Sequence, residues 1–251
     1  MYSEEHKRFI RKKKITSILV HLVQILLIVS LIVIWELLAK YEVINTFISS
    51  SPSRIVNTII KLYNDGNLFN HIWTTIYETL ISFGIGTLIG IAVAIVLWYS
   101  NFLYRIFDPY LTIINSLPKV AIGPIIIMAL LISVIVTIIT VYNGFISTDQ
   151  NRINLLKSFK ASKRQIFRYV ILPSSYPTII SSLKINISMT LIGVIMGEFL
   201  VSKEGIGYLI TYGSQVFNLN LVMSGIVILL IVSYLMYLIV SYIEKILIKN
   251  D

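Results

Sequence analysis

The chain has 251 residues, 56% of them hydrophobic and only 13% charged, yet 21 Lys and Arg stand against 12 Asp and Glu for a formal charge of +9. Soluble domains carry about a quarter of their residues as charges, so this composition excludes an ordinary soluble domain and predicts an all-α integral membrane protein. The positive excess lies between apolar runs rather than on one folded face, which argues against a nucleic-acid partner and for an orientation signal. At about 20 residues per crossing, the length holds a bundle of five or six transmembrane helices, so 1–251 is read as one transmembrane domain. Cysteine is absent, and His6, His21 and His71 are too scattered in sequence to form a metal site by spacing.

Residues 1–14 include Lys7, Arg8, Arg11, Lys12, Lys13 and Lys14, followed by an uncharged run from Ile15 to Trp35. That run exceeds the roughly 7–15 residues of a signal-peptide core and lacks a small-x-small cleavage site. An uncleaved first span with a basic, cytoplasmic N-terminus (1–14) is expected. Residues 41–73 are polar, with turn signals at Ser50-Ser51-Pro52-Ser53 and Asn64-Asp65-Gly66-Asn67 around the amphipathic set Ile55, Ile59, Ile60 and Leu62. They predict an external loop with a surface helix. A second span runs from Ile76 to Trp98; its Gly86 and Gly90 have the spacing for close helix approach, although glycine is common in membrane helices generally.

Arg105 marks an inside loop, and so does the cluster Arg152, Lys157, Lys160, Lys163, Arg164 and Arg168. Two crossings must then fit between them, but Pro109 to Ile146 supplies about 38 residues where two spans and a turn want roughly 45. Two short or tilted helices broken near Pro118 and Pro124 are expected; a single span from Val120 to Tyr142 would put the cluster on the other side. Further spans run from Tyr176 to Leu200 and from Leu221 to Ile243, joined by an outside loop from Val201 to Asn220. Glu198, Lys203 and Glu204 mark the outer end of the former, and the C-terminus, with Lys245 and Lys249, is again cytoplasmic.

Ser147-x-x-Gln150 and Ser162-x-x-Gln165 have capping-box spacing. The first opens a helix with Ile153, Leu156 and Phe159 on one face. The second opens a helix with Ile166, Phe167, Val170 and Ile171 together, stopping at Leu172-Pro173. Residues 147–173 thus form a cytoplasmic helical elbow that serves either a protein partner or an anionic lipid surface.

The run Leu155-Leu156-Lys157-Ser158-Phe159-Lys160-Ala161-Ser162-Lys163-Arg164-Gln165-Ile166-Phe167-Arg168-Tyr169-Val170-Ile171-Leu172-Pro173 resembles the EAA loop of the membrane subunits of binding-protein-dependent ABC importers. Within that superfamily it is most similar to the nitrate, sulfonate and taurine permeases, whose relatives also import thiamine precursors or riboflavin. Ser51-Pro52-Ser53, Asp108-Pro109, Leu117-Pro118-Lys119-Val120-Ala121, Tyr142-Asn143-Gly144, Glu198-Phe199 and Gly205-Ile206-Gly207-Tyr208-Leu209-Ile210 extend the resemblance over nearly the whole chain. There are two departures. Asn154-Leu155-Leu156 replaces Glu-Ala-Ala and Lys160 replaces a glycine whose positive φ a lysine disfavours. Gly123-Pro124 also runs straight into Ile125-Ile126-Ile127, where the family has more helix.

The resemblance implies the MetI-like permease fold in the cell membrane, a homodimer around one substrate path, a separate ABC ATPase subunit and an extracytoplasmic substrate-binding protein. It implies that Asn154, Leu155, Leu156, Phe159, Lys160, Ala161, Ser162, Ile166, Phe167, Leu172 and Pro173 form the ATPase-coupling loop, with ATP and Mg held by the ATPase and no cofactor or catalytic residue on this chain. In agreement, no Gly-Lys dipeptide occurs, so a phosphate-binding P-loop is absent. The span 176–200 is the expected path wall through Ser181, Lys184, Asn186 and Ser188, with Gly193 and Gly197 for close helix contact. The alternative is that Lys184 snorkels and the hydroxyls bond their own helix. An ion-coupled secondary transporter would need an intramembrane acid relay, whereas Glu36, Glu78 and Glu198 fall near span ends. A membrane enzyme lacks its constellation of nucleophile, base or metal. A non-transporting scaffold or receptor would keep the elbow and tolerate the short segment after Pro124.

Overall fold

The computed structural model describes residues 4–45, 49–116 and 124–248, the side chains of 4–11 excepted, and the regular structure among them is helical. In chain order the helices are α1 (Glu4–Lys40), α2 (Pro52–Asn64), α3 (Asn67–Tyr99), α4 (Asn101–Ser116), α5 (Ile125–Ile146), α6 (Gln150–Ser158), α7 (Lys163–Val201), α8 (Ile206–Gln215) and α9 (Leu219–Ile248). Among the described residues, five stretches are long and apolar enough to cross a membrane: Lys12–Lys40, α3, α5, α7 and α9. The expected motif Leu117-Pro118-Lys119-Val120-Ala121 lies outside the described residues, as do the side chains of Lys7, Arg8 and Arg11.

Packing between α3, α5 and α7 makes the centre of the bundle, and small residues set its distances. A Cβ on Gly90 would lie 2.5 Å from Thr137 Cβ, and one on Gly86 would overlap Ser133, so the small-residue pair on α3 is a true helix contact. On α7, Gly193 meets Ala129 and Ile132, and Gly197 meets Ile125. These pairings show α3 and α5 running in the same direction and α7 against both. A second apolar core joins Ile187, Leu191 and Ile195 of α7 to Ile206 of α8 and Ile228, Val232, Met236 and Val240 of α9.

Because α3 and α5 are parallel, the chain must travel back along the bundle between Tyr99 and Ile125. Helix α4 makes the first part of that return. Tyr104 stacks on Tyr142 at 4.1 Å, and Asp108, Leu111 and Thr112 line a small cavity with Ile138, Ile139 and Asn143, so α4 climbs antiparallel to α5. The expectation of two short helices within 109–146 is therefore corrected. One helix is short and begins at Asn101; the other has 22 residues and full span length. The 16 residues of α4 rise about 24 Å at 1.5 Å each, less than the roughly 30 Å of a hydrocarbon core. The break before α5 falls where expected, with Pro124 at its N-cap.

The amphipathic set at 55–62 forms α2, started by Ser51, whose Oγ accepts the Arg54 N–H at 3.4 Å, and by Pro52 in the first turn. Ile55 is buried. Ser224 Oγ donates to its carbonyl, Ser50 Oγ donates to Asn220 Oδ1 at 2.8 Å, and the Ser53 N–H donates to Glu36 at 3.0 Å. Helix α2 thereby ties the Lys40 end of α1 to the start of α9, while most of α1 presents Leu and Ile side chains outward.

Candidate functional site

The elbow is built from caps. Its first helix, α6, starts at Asp149, whose carboxylate accepts the Asn151 N–H at 2.9 Å. Ser147 instead closes α5, donating its hydroxyl to the Gly144 carbonyl at 2.9 Å, so the Ser147–Gln150 box does not form. The reason is local competition: α5 continues to Ile146, and a charged acceptor two residues on is the better N-cap. The second box does form, with the Ser162 N–H donating to Gln165 Oε1 at 2.7 Å and the Gln165 N–H to Ser162 Oγ at 3.3 Å.

Between the two helices Lys160 adopts φ +56, the left-handed conformation of a C-terminal helix stop, with its N–H on the Lys157 carbonyl and the Ala161 N–H on the Leu156 carbonyl. Lys160 thus stands where a glycine was expected and adopts the positive φ expected of one. A lysine pays about 1–2 kcal/mol there, against roughly 0.5–1 for the extra freedom of an unfolded glycine. Lys160→Gly should therefore stabilise the elbow by about 0.5–1 kcal/mol, read as slower amide exchange at Ala161. Unchanged exchange would show that Lys160 is not strained.

The predicted coupling residues divide into two sets. Leu156 and Ala161, with Ile153, pack on the bundle, and Ile166 and Phe167 are buried in it with Ile171. Leu155 is 59% and Phe159 73% exposed, and Asn154, Lys160, Ser162, Leu172 and Pro173 are exposed with them. Phe159 leaves the Ile153–Leu156 face because α6 ends at Ser158 and Phe159 is its C-cap.

The helix also fails to stop at Leu172-Pro173. Residues Phe167–Ile171 form a π-turn in which the Leu172 N–H reaches back to the Phe167 carbonyl, and α7 continues to Val201. Pro173 has no N–H to give, and its ring would strike the carbonyl four residues earlier in a regular α-helix. The wider turn absorbs that, and leaves a soft point between elbow and span.

The residues expected in the path also separate. Asn186 is 1% exposed, and its Nδ2, with two hydrogens to share, lies 2.8, 3.0 and 2.9 Å from the Thr87, Ser133 and Thr137 hydroxyls, a knot joining α3, α5 and α7. Gly193 and Gly197 lie in the same packed seam. Ser181, Lys184 and Ser188 instead line an open groove with Ile185, Met189, Tyr237 and Glu244. There Lys184 pairs with Glu244 at 2.5 Å, and Ser181 Oγ donates to Glu244 at 3.0 Å.

Glu198, expected only to bound its span, is 1% exposed at the far end of the bundle. It accepts from Thr75 Oγ1 and from the Gly207 N–H, both at 2.6 Å, while Thr75 Oγ1 accepts the Ile206 N–H at 2.9 Å and His71 Nδ1 the Gly205 N–H at 3.0 Å. This polar clasp holds the start of α8 against α3 and α7. The signal in the sequence was Gly205-x-Gly207, two glycines beside a carboxylate that leaves room for nothing larger.

A family model, binding-protein-dependent transport system inner membrane component, matches residues 86–249. The putative aliphatic sulfonates transport permease protein of Bacillus subtilis is 26% identical over 231 residues, covering 87% of this chain and 84% of its own length. The nitrate import permease protein of Synechocystis is 25% identical over 234 residues, covering 83% and 84%. In fold, the chain superposes on one from an inward-facing MetNI methionine ABC transporter with a TM-score of 0.62 at 20% identity, covering 70% of this chain and 94% of that one. These relatives are transport permeases rather than enzymes, in keeping with a multi-pass protein of the cell membrane. The chain belongs to the family of binding-protein-dependent transport system inner membrane components.

Proposed function

We propose that this chain is the membrane-spanning subunit of an ATP-driven importer, one transmembrane domain over 1–251 that pairs with a second copy to enclose the substrate path. The elbow end, where the basic cluster and Arg105 gather, is cytoplasmic with both termini. Residues 147–173 dock on a separate ABC ATPase, which binds ATP and Mg, and a binding protein delivers substrate at the α8 end. The substrate is a small solute of the nitrate, sulfonate or taurine kind, or a thiamine precursor. The family supports this reading, and so does the Lys184 groove, because a charged pair on a span costs least where water reaches it.

The single observation that carries it is the pair Leu155 and Phe159. Two large apolar side chains stand outward on a capped loop whose other face is anchored, the arrangement of a docking knob. Since the chain has no cysteine, single cysteines test it cleanly. In membranes that hold the complex, Phe159→Cys alkylated with a benzophenone maleimide should photo-cross-link to the ATPase subunit by insertion into a C–H bond, and Ser188→Cys should react with a hydrophilic maleimide. No ATPase adduct from Phe159→Cys would refute the docking, and an unreactive Ser188→Cys would refute the wet groove.

A further inference from the structure

The elbow is fastened to a span other than its own. Lys163, an exposed residue in the first turn of α7, donates its ammonium to the carbonyl of Tyr99 at 2.7 Å. Tyr99 ends α3, so its carbonyl has no partner within the helix and lies at the negative end of the helix dipole, where a cation is favoured. The same ammonium sits 5.4 Å from the centre of the Trp98 ring. One helical turn on, Phe167 is 8% exposed, its ring 4.9 Å from Trp98, 5.3 Å from Tyr99 and 5.4 Å from Phe145. Lys163, just before the π-turn, and Phe167, its first residue, thus hold the last residues of α3 and α5. Without them, a push on the elbow would be spent in bending α7 at Phe167–Ile171.

Resting on the coupling role proposed above, we infer that Lys163 and Phe167 are positioning residues that lock the elbow, α3 and the elbow end of α5 into one rigid unit. Displacement of the elbow by the ATPase then turns α3 together with α7, and the π-turn does not flex. Lys163 is the discriminating residue because it is exposed and its replacement opens no cavity, whereas truncating Phe167 would.

Spin labels on Arg152→Cys, exposed on α6 and outside the coupling set, and Leu88→Cys, which is 71% exposed on α3, report the separation of elbow and span by electron–electron resonance in complexes that pair one labelled copy with an unlabelled one. The full complex with its ATPase subunit is compared nucleotide-free and trapped with ATP and vanadate. The chain with Lys163 intact should keep one narrow distance in both states, and Lys163→Arg should do the same, since guanidinium can donate to the carbonyl and lie over Trp98. With Lys163→Met the distance should broaden and shift on trapping by about 2–5 Å. A Lys163→Met complex as invariant as its parent, or a parent whose own distance changes on trapping, would overturn the joint. Lys163→Met that no longer binds the ATPase would assign Lys163 to the docking surface and also overturn it. An unlabelled parent chain that fails to bind the ATPase would overturn the coupling role itself.

Discussion

A chain carrying Leu155→Ala with Phe159→Ala is expected to lose affinity for its ATPase subunit at least about 100-fold while remaining folded. Truncating a large apolar anchor at an interface centre typically costs 2 kcal/mol or more, and two such residues do not add fully. Both side chains are exposed in the isolated chain, so their removal leaves no cavity and takes no support from α6, which is held by Asp149, Ile153 and Leu156. Ile166 and Phe167 cannot serve this test, since their truncation would open the bundle and mix folding with docking. The measurement is ATPase binding to the chain in lipid nanodiscs, with thermal unfolding of the same preparation as control. Undiminished binding with both alanines would assign the knob to lipid.

Gly205→Ala is the largest destabilisation that a single methyl group should produce. Gly205 has φ +103, and a Cβ there would overlap the carboxylate of Glu198, which is held by Thr75 and Gly207 and has nowhere to go. Backbone strain of about 1–3 kcal/mol and overpacking of about 1–3 kcal/mol together suggest a loss near 3–5 kcal/mol. The readout is the denaturant or thermal midpoint of the purified chain. A loss under about 1 kcal/mol would mean that the loop relaxes freely and that Glu198 does not clasp α8. The clasp joins residues 71, 75, 198 and 205–207, so its failure should loosen α8 and leave the elbow intact.

Several of these features were written in local sequence. Run lengths between charges predicted four of the five long apolar helices, because a span must satisfy its own backbone over about 20 residues, though α3 and α7 begin well before the expected Ile76 and Tyr176. Ser162-x-x-Gln165 predicted its cap, since donor and acceptor lie within one turn. The reading slipped where two local signals competed, as Ser147 did with Asp149, and where helix propensity met context, as at Pro173, whose missing N–H is absorbed by a π-turn. Lys160 also misled in part: the substitution was plain, but its acceptance of a positive φ depends on the caps on either side. Residues 101–116 were the hardest segment, too short and too mixed for a span, and only their contacts with α5, from Tyr104 on Tyr142 to Leu111 and Thr112 beside Ile138, show that they climb the bundle.

By itself the sequence determined a membrane protein, the order of its long apolar runs, the gathering of positive charge at the elbow, and a family resemblance. Tertiary structure alone decided which polar residues face a groove and which tie helices together. Asn186 and Lys184 are two residues apart on one helix, yet one is buried among three hydroxyls and the other pairs with Glu244 in the open groove. The physical reason is range. Caps, turns and spans are settled by neighbours within four residues or by a continuous apolar run, whereas Asn186 is settled by partners brought to it from 49, 53 and 99 residues away.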